Sequence, residues 1–136
     1  MTKAIPTVQK YMTTSPHTIG AEQTLAAAHA MMNDHRIRHL PVLHGGRLVG
    51  IVTDRDIHVV EALEGVDATK VLVDDAMSAI TYTVAPSAPL DEVAAEMAEH
   101  KYGSAIVVQN GHVVGMLTTV DLARALSELL RTRLQK

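Results

Sequence analysis

Several residue types are absent or scarce in this chain of 136 residues, and each absence excludes a class of site or structure. There is no cysteine, which excludes disulfides, thiol catalysis and zinc–thiolate sites. Phe and Trp are also absent and only three Tyr are present, so Val, Leu, Ile, Ala and Met must fill a core. Hydrophobic residues still make up 47% of the chain, which is enough for one compact domain or two small halves that share a core.

Charge and hydropathy bear on the location of the protein and on its binding to nucleic acid or membrane. The formal net charge of −3 does not favour nucleic-acid binding, which normally uses a basic patch. No apolar run approaches the ~20 residues needed to span a bilayer. Residues 1–6 lack the apolar segment of a signal peptide. We therefore expect a cytoplasmic protein that binds neither nucleic acid nor membrane.

The strongest positive signal is an internal repeat. One copy of its central stretch is Gly50–Asp56 (Gly-Ile-Val-Thr-Asp-Arg-Asp), and the other is Gly115–Asp121 (Gly-Met-Leu-Thr-Thr-Val-Asp). The same offset of 65 residues, with no gap, aligns Met12 with Met77, Leu25 with Leu90, Met32 with Met97, His35 with His100, and Gly46 with Gly111. A repeat this regular predicts two similar structural units.

Each repeat predicts the same order of elements, strand–helix–strand–strand–helix, after a short helical lead-in at residues 5–12 or 71–77. Apolar residues at helical spacing indicate the helices, and glycine-containing turns join the paired strands. In the first repeat the predicted elements are strand 17–19, helix 22–36, strands 38–43 and 48–53, and helix 55–63, which Asp54 caps. In the second repeat they are strand 81–84, helix 89–101, strands 104–109 and 112–118, and helix 119–133.

These segments, in this order and at this spacing, resemble the CBS domain, the module named after cystathionine β-synthase. The resemblance lies in Tyr11–Thr13, Ala21–Met32, Ile37–Leu43 and Gly50–Asp56, and again in Ala76–Ser78, Pro86–Met97, Tyr102–Val108 and Gly115–Asp121. It implies an α/β (α+β) fold of two tandem βαββα repeats, residues 5–63 and 71–131, with a linker at 64–70. It also implies that the repeats pack about a pseudo-twofold axis and form clefts where their sheets meet.

The motif Thr-x-x-Asp is the main candidate for ligand binding. Thr53 with Asp56, and Thr118 with Asp121, lie where a strand ends and a helix begins, a place that attracts phosphate. The hydroxyl can donate to a phosphate oxygen, and the carboxylate can accept both hydroxyls of a ribose. The resemblance implies the same roles in CBS pairs that bind adenine nucleotides. Plain helix capping, which favours the same residue types, is the alternative.

The resemblance also implies that each cleft is crossed, so that the motif of one repeat faces the first two strands of the other. The predicted cleft of Asp121 contains Thr18, Ile19, Arg38, His39 and Pro41, and that of Asp56 contains Thr83, Val84, Gly103, Ser104 and Ile106. Backbone groups near Thr18–Ile19 in one cleft and near Thr83–Val84 in the other can hydrogen-bond to the edge of an adenine base. For the apolar members, a place in the core is the alternative.

The two repeats differ in charge near these positions. Arg38, His39 and Arg55 of the first repeat correspond to Gly103, Ser104 and Val120 of the second. Arginine suits phosphate, and protonation of His39 near pH 6.5 would add another cation. The Asp121 cleft, which is expected to draw these three side chains toward the phosphates, is therefore predicted to bind phosphorylated adenosine more tightly than the Asp56 cleft. For the arginines, an ordinary exposed position is the alternative.

Catalytic and metal-binding motifs are not evident. Eight histidines are present but no His-Glu-x-x-His motif, so no dedicated metal site is predicted. There is also no nucleophile elbow and no P-loop, so we do not expect an enzyme.

The sequence thus predicts a regulatory module that binds an adenosine-containing ligand such as AMP, ADP, ATP or S-adenosylmethionine, with no obligatory cofactor. The alternative is a ligand-free scaffold for dimerisation or interaction. A homodimer is expected through the helices that follow each motif, because they carry apolar residues suited to an interface. These residues are Val59, Val60, Leu63, Leu122, Leu126, Leu129 and Leu130. An effector protein, the identity of the ligand and the number of occupied clefts stay open.

Overall fold

The computed structural model describes residues 4–134, and its helices and strands follow the repeat. The first elements are α1 (Val8–Tyr11), β1 (Thr13–Thr14), β2 (Ile19–Gly20), α2 (Leu25–His35), β3 (His39–His44), β4 (Arg47–Thr53) and α3 (Asp54–Glu61). They are followed by α4 (Val73–Ala76), β5 (Thr83–Val84), α5 (Leu90–His100), β6 (Ser104–Gln109), β7 (His112–Thr118) and α6 (Thr119–Leu134). The predicted α+β fold class with two βαββα repeats is confirmed. No helix within residues 4–134 is both long and apolar enough to cross a bilayer.

The chain forms two compact units, and these are not the two sequence repeats. We call His17–Thr81 the central unit, and residues 4–16 together with 82–134 the terminal unit. Helix α1 and strand β1, which begin the first repeat in sequence, therefore belong to the terminal unit. Helix α4, which begins the second repeat, belongs to the central unit. The ranges 5–63 and 71–131 describe sequence repeats. In the structure, the lead-in segment of each repeat belongs to the compact unit that contains the rest of the other repeat.

The central unit contains a three-stranded sheet in the order β2-β3-β4. Strand β2 is parallel to β3, and β3 is antiparallel to β4, with His39 opposite Thr53. Helix α4 is held by the Val73 N–H, which donates to the Gln23 carbonyl at 2.8 Å. The core is aliphatic and consists of Ile19, Leu25, Ala28, Met32, Leu40, Val42, Val52, Ile57 and Val73 together with Ala21.

The terminal unit contains a four-stranded sheet in the order β1-β7-β6-β5. Strand β1, which was not predicted, pairs antiparallel with β7, so that Thr13 lies opposite Met116. The Val8 N–H donates to the Ala88 carbonyl at 2.9 Å and fixes α1 to this unit. The core consists of Val8, Tyr11, Leu90, Val93, Met97, Ala105, Val107, Leu117 and Ala125.

Strand β2 begins two residues later than predicted, and a proline gives the reason. In the terminal unit the Ile106 N–H donates to the Tyr82 carbonyl at 2.9 Å. Pro41 stands at the equivalent position in the central unit, and it has no N–H to donate. The parallel ladder therefore starts only at Ile19, which pairs with Val42.

A glycine in the second hairpin strand of each unit, β4 or β7, permits close approach of a lead-in segment. A Cβ added at Gly50 would lie 2.6 Å from both the Met77 sulfur and the Ser78 carbonyl oxygen. A Cβ added at Gly115 would lie 2.6 Å from the Met12 sulfur. Each unit thus packs a methionine of the exchanged lead-in against its glycine.

Candidate functional site

In the central unit, the Thr53–Asp56 motif forms a reciprocal helix cap. The Asp56 N–H donates to Thr53 Oγ1 at 3.2 Å, and the Thr53 N–H donates to Asp56 Oδ2 at 2.9 Å. The prediction that Asp54 caps α3 was wrong, because Thr53 is the N-cap and Asp54 is the first helical residue. The Asp54 N–H instead donates to the Arg38 carbonyl at 3.0 Å. This bond joins the start of α3 to the residue that precedes β3.

Asp56 keeps part of its carboxylate accessible. Its side chain is partly exposed, and within residues 4–134 the protein donor to it is the Thr53 N–H on Oδ2. His39 lies opposite Thr53 in the β3–β4 ladder and is partly buried. Burial is the largest influence on its pKa and lowers it from 6.5, Arg38 lowers it further, and Asp54 and Asp56 oppose the shift. The expectation that His39 is protonated near pH 6.5 was therefore wrong, since a lower pH is required.

A pocket of about 370 Å³ lies in the central unit beside the first turn of α3. Its polar lining is mostly basic or neutral, and its volume falls within the usual range of small-molecule sites. The lining residues are His29, Met32, Asn33, Arg36, Ile37, Arg38, Asp54, Ile57 and His58. Arg36 and Arg38 bring two guanidinium groups to this pocket, whereas the exposed Arg55 does not line it.

In the terminal unit, the Thr118–Asp121 motif has the same spacing but a closed environment. Asp121 is only 3% exposed. Its Oδ2 accepts from the Thr118 N–H at 2.9 Å and from the Thr118 hydroxyl at 3.2 Å. Its Oδ1 accepts from the Thr13 hydroxyl at 3.2 Å and lies 3.4 Å from Nη1 of Arg124. Protein donors therefore occupy both carboxylate oxygens.

The remaining predicted site residues fall into core and surface groups. Ile19, Pro41, Ser104 and Ile106 are buried, Thr18 and Val84 are partly exposed, and Thr83 and Gly103 are exposed. Within the terminal unit, Ser104 lies opposite Thr118, as His39 lies opposite Thr53 in the central unit. The predicted crossed clefts join residues of different units, and they stay a prediction.

A second pocket, of about 450 Å³, lies in the terminal unit beside β5. The predicted residues Thr83 and Val84 line it, together with Tyr82, Ala85, Ala88, Glu92, Val93, Glu96 and Tyr102. The two tyrosine rings stack with their centroids 5.2 Å apart. Burial, Glu96 and Tyr102, in that order, raise the pKa of Tyr82 above its usual 10.0. The sequence reasoning missed both tyrosines as site residues, although Tyr82 lies within the predicted strand 81–84 and Tyr102 lies two residues before the predicted strand 104–109.

Two solved structures are similar to this chain over nearly its whole length. A protein assigned as the acetoin utilization protein AcuB of Vibrio cholerae matches with a TM-score of 0.87 and 30% identity, covering 98% of each chain. The CBS domain pair of protein MJ0100, solved with 5′-methylthioadenosine and S-adenosyl-L-methionine, matches with a TM-score of 0.83 and 28% identity. That alignment covers 92% of this chain and 98% of the other.

Two related protein sequences differ in how much of their own length matches this chain. The CBS domain-containing protein YhcV of Bacillus subtilis is 31% identical over 116 residues, which cover 85% of this chain and 82% of YhcV. The inosine-5′-monophosphate dehydrogenase of Korarchaeum cryptofilum is 31% identical over 134 residues, which cover 98% of this chain but 27% of the dehydrogenase. The chain thus spans about a quarter of that enzyme.

The family match agrees with the repeat and with both structural neighbours. The CBS domain pattern matches residues 8–61 and again residues 73–128. These two ranges contain the two Thr-x-x-Asp motifs, the whole first βαββα series, and the second series as far as residue 128 of α6. The chain therefore belongs to the CBS domain family and carries two CBS domains in tandem.

Proposed function

We propose that this chain is a regulatory module that binds an adenosine-containing ligand and is not an enzyme. The observation that carries the proposal is the likeness to the CBS domain pair of MJ0100, whose two bound ligands both contain adenosine. A strand-to-helix Thr-x-x-Asp motif in each repeat supports it further. Ligand binding regulates a partner only if the two conformational states of the module differ in affinity for the ligand.

Asp56 is the carboxylate that we assign to the ribose hydroxyls. It is partly exposed and receives one protein N–H on Oδ2, so it can accept further hydrogen bonds. Asp121 is buried and holds the Thr118, Thr13 and Arg124 donors, so a ligand would have to displace one of them. This assignment favours the Asp56 motif over the Asp121 motif for the tighter ligand, which is the reverse of the order predicted from the charges of the two clefts.

Arginines of the central unit are suited to the phosphate of a nucleotide. Arg36 and Arg38 line one pocket, and guanidinium groups pair with phosphate through a planar fork. His39, whose pKa is lowered, would be a neutral hydrogen-bonding partner near pH 7 rather than a cation. We therefore expect AMP to bind more tightly than adenosine. This gives Arg38 to the ligand of Asp56, whereas the crossed-cleft prediction gave it to the ligand of Asp121. We retain the proposal that backbone groups at Thr18–Ile19 and Thr83–Val84 read the adenine edge.

Calorimetry with matched variants tests the assignment. AMP, S-adenosylmethionine, 5′-methylthioadenosine and GMP are titrated into wild-type protein, Asp56→Asn and Asp121→Asn. We expect the adenosyl ligands to bind and GMP to fail, with Asp56→Asn raising the Kd for AMP about tenfold, which is about 1.4 kcal/mol. The wild type should discriminate against 2′-deoxy-AMP, and Asp56→Asn should discriminate less.

Three results would contradict the proposal. Absence of binding by every adenosyl ligand would remove the sensor function. Equal discrimination against the 2′-deoxy ligand in wild type and Asp56→Asn would show that Asp56 does not touch the ribose. Turnover of ATP by purified protein would contradict the expectation that the chain is not an enzyme.

A dimerisation scaffold is the second candidate, and an apolar groove in the terminal unit favours it. The groove is about 700 Å³ and lies between α1, α5 and α6, with Leu122, Leu126 and Leu129 along α6. Leu126 is 57% exposed and Leu130 is 48% exposed. The buried Tyr11 hydroxyl has no hydrogen-bond partner in the described part of the chain. In the central unit Val59 and Leu63 are exposed as well, although α3 ends at Glu61 rather than at the predicted Leu63.

We propose that these surfaces form a homodimer, whether or not a ligand binds. Sedimentation should give twice the 14.6 kDa of one chain. Leu126→Glu should shift the protein toward monomer, because a charge would enter an apolar interface. Val120→Glu is the matched control, since Val120 is exposed on α6 but does not line the groove. A monomeric wild type at micromolar concentration would refute the dimer and leave the ligand proposal standing.

A further inference from the structure

A cluster of potential metal ligands lies at the end of α5 and contains no residue of the two Thr-x-x-Asp motifs. Glu96, Glu99 and His100 each offer one ligand atom, and these three atoms all lie within 4.8 Å of one another. Glu96 Oε1 is 2.8 Å from His100 Nε2. Positions i, i+3 and i+4 share one face of a helix, so the backbone alone brings the three side chains together.

Neighbouring aromatic rings hold the imidazole in place. The His100 ring stacks on Tyr102 with centroids 5.2 Å apart and an interplanar angle of 21°. Tyr102 stacks in turn on Tyr82, which belongs to the segment that leads into β5. Glu96 is partly buried beside these rings. An imidazole supported in this way loses less conformational entropy when it binds an ion.

We propose that Glu96, Glu99 and His100 bind one divalent transition-metal ion of the zinc type. Imidazole suits zinc, nickel and copper, whereas magnesium and calcium prefer oxygen ligands alone. Two carboxylates and a neutral imidazole balance the two charges of the ion. Three protein ligands leave a fourth tetrahedral position for water or another donor. Binding replaces the hydrogen bond between Glu96 and His100 with two bonds to the metal, each about 2.0–2.2 Å long.

The first repeat provides an internal comparison for this site. The positions equivalent to Glu96, Glu99 and His100 are Met31, Asp34 and His35. Met31 removes one carboxylate, and the His35 ring stacks face to face on His17 with centroids 3.7 Å apart. Among the described residues of α2, the repeat thus preserves the histidine but not the set of three ligands. The cluster on α5 is specific to the second repeat.

Zinc calorimetry with variants taken from this comparison tests the proposal. ZnCl₂ is titrated into wild-type protein, Glu96→Met, His100→Ala and the control His35→Ala. Glu96→Met gives α5 the residue that α2 carries at the same position. We expect one saturable zinc site per chain in the wild type and in His35→Ala, with Kd raised at least about tenfold in the other two variants. Thermal unfolding without metal checks that each variant is folded.

A spectroscopic measurement keeps the test independent of folding. In the wild type, substoichiometric zinc should shift the imidazole NMR signals of His100 and leave those of His35 unchanged. The proposal is overturned if the wild type shows no saturable zinc binding. It is also overturned if His35→Ala weakens binding as much as His100→Ala, or if magnesium competes with zinc at equal concentration, because either result indicates unspecific attraction to surface charge.

Discussion

Asp56 and Asp121 occupy equivalent positions of the repeat, yet one carboxylate is accessible and the other is enclosed. Two substitutions between the repeats account for the difference. Thr13, which donates to Asp121, corresponds to Ser78, whose hydroxyl donates to the Ile80 carbonyl instead. Arg124, which lies beside Asp121, corresponds to the exposed Val59. The comparison shows that the same motif can mainly stabilise one unit and be available for binding in the other.

The largest effect should come from removing the enclosed carboxylate. Asp121→Ala leaves partly buried donors of Thr118 without an acceptor and removes the bond to Thr13, so we expect a loss of about 2–3 kcal/mol in unfolding free energy. Asp56→Ala removes one of the two hydrogen bonds of the reciprocal cap, the bond from the Thr53 N–H, and should cost about 1 kcal/mol. Urea denaturation of both variants measures the difference. An equal or larger loss in Asp56→Ala would show that enclosure does not make Asp121 the more stabilising residue.

The two strand glycines should also differ in their sensitivity to substitution. Gly50→Ala brings a methyl group 2.6 Å from the backbone oxygen of Ser78, and backbone cannot move aside cheaply. Gly115→Ala meets mainly the flexible Met12 side chain. We expect Gly50→Ala to destabilise by about 2 kcal/mol and Gly115→Ala by about 1 kcal/mol. Thermal unfolding of the matched pair measures this, and the reverse order would mean that Met12 is the more rigid neighbour.

A smaller effect is expected from the hydroxyl that links β1 to Asp121. Thr13→Ala removes a donor to a buried carboxylate and should cost about 1 kcal/mol. Ser78→Ala, at the equivalent position, removes an exposed bond to the Ile80 carbonyl and should change stability by less than about 0.5 kcal/mol. Denaturation midpoints of the two variants test the contrast. If Ser78→Ala were the more damaging change, the asymmetry between the motifs would have another origin.

The smallest effect should be the contribution of His39 to the pH dependence of stability. Burial lowers the pKa of folded His39 below 6.5, so the unfolded chain binds the proton more readily. Its contribution to stability is therefore complete above about pH 6.5 and declines as the pH falls through the window between the two pKa values. The unfolding free energies of wild type and His39→Gln are measured at several pH values. At neutral pH both should depend on pH with the same slope, and at lower pH the wild type should lose stability more steeply. A steeper acid loss in the variant would contradict the direction of the shift.

Most element boundaries could be predicted because their signals are local. The hairpin strands of the second repeat match the predicted ranges, since the Asn110–Gly111 turn fixes their register, and both turn residues have positive φ. Helix α2 begins three residues later than predicted, because the Thr24 side chain caps it by accepting the Ala27 N–H at 3.1 Å. Strand β1 could not be predicted, since two threonines form a strand only when β7 is present beside them.

The candidate site was predictable in position but not in environment. The sequence places each Thr-x-x-Asp motif at the junction of a strand and a helix, and the structure has both there. Whether a carboxylate is free depends on distant residues, such as Thr13 for Asp121. Burial also lowers the pKa of His39, an effect that its neighbours in sequence could not indicate.

By itself, the sequence determined that the chain contains two equivalent repeats and that each begins with a lead-in helix that carries an apolar residue and a methionine. Val8 and Met12 of one lead-in correspond to Val73 and Met77 of the other, so local propensity cannot distinguish their destinations. Only the tertiary structure decided that α1 covers the terminal unit and α4 the central unit. The physical reason is that long-range packing and chain connection, such as Met12 against Gly115, select between two lead-ins whose local signals are nearly the same.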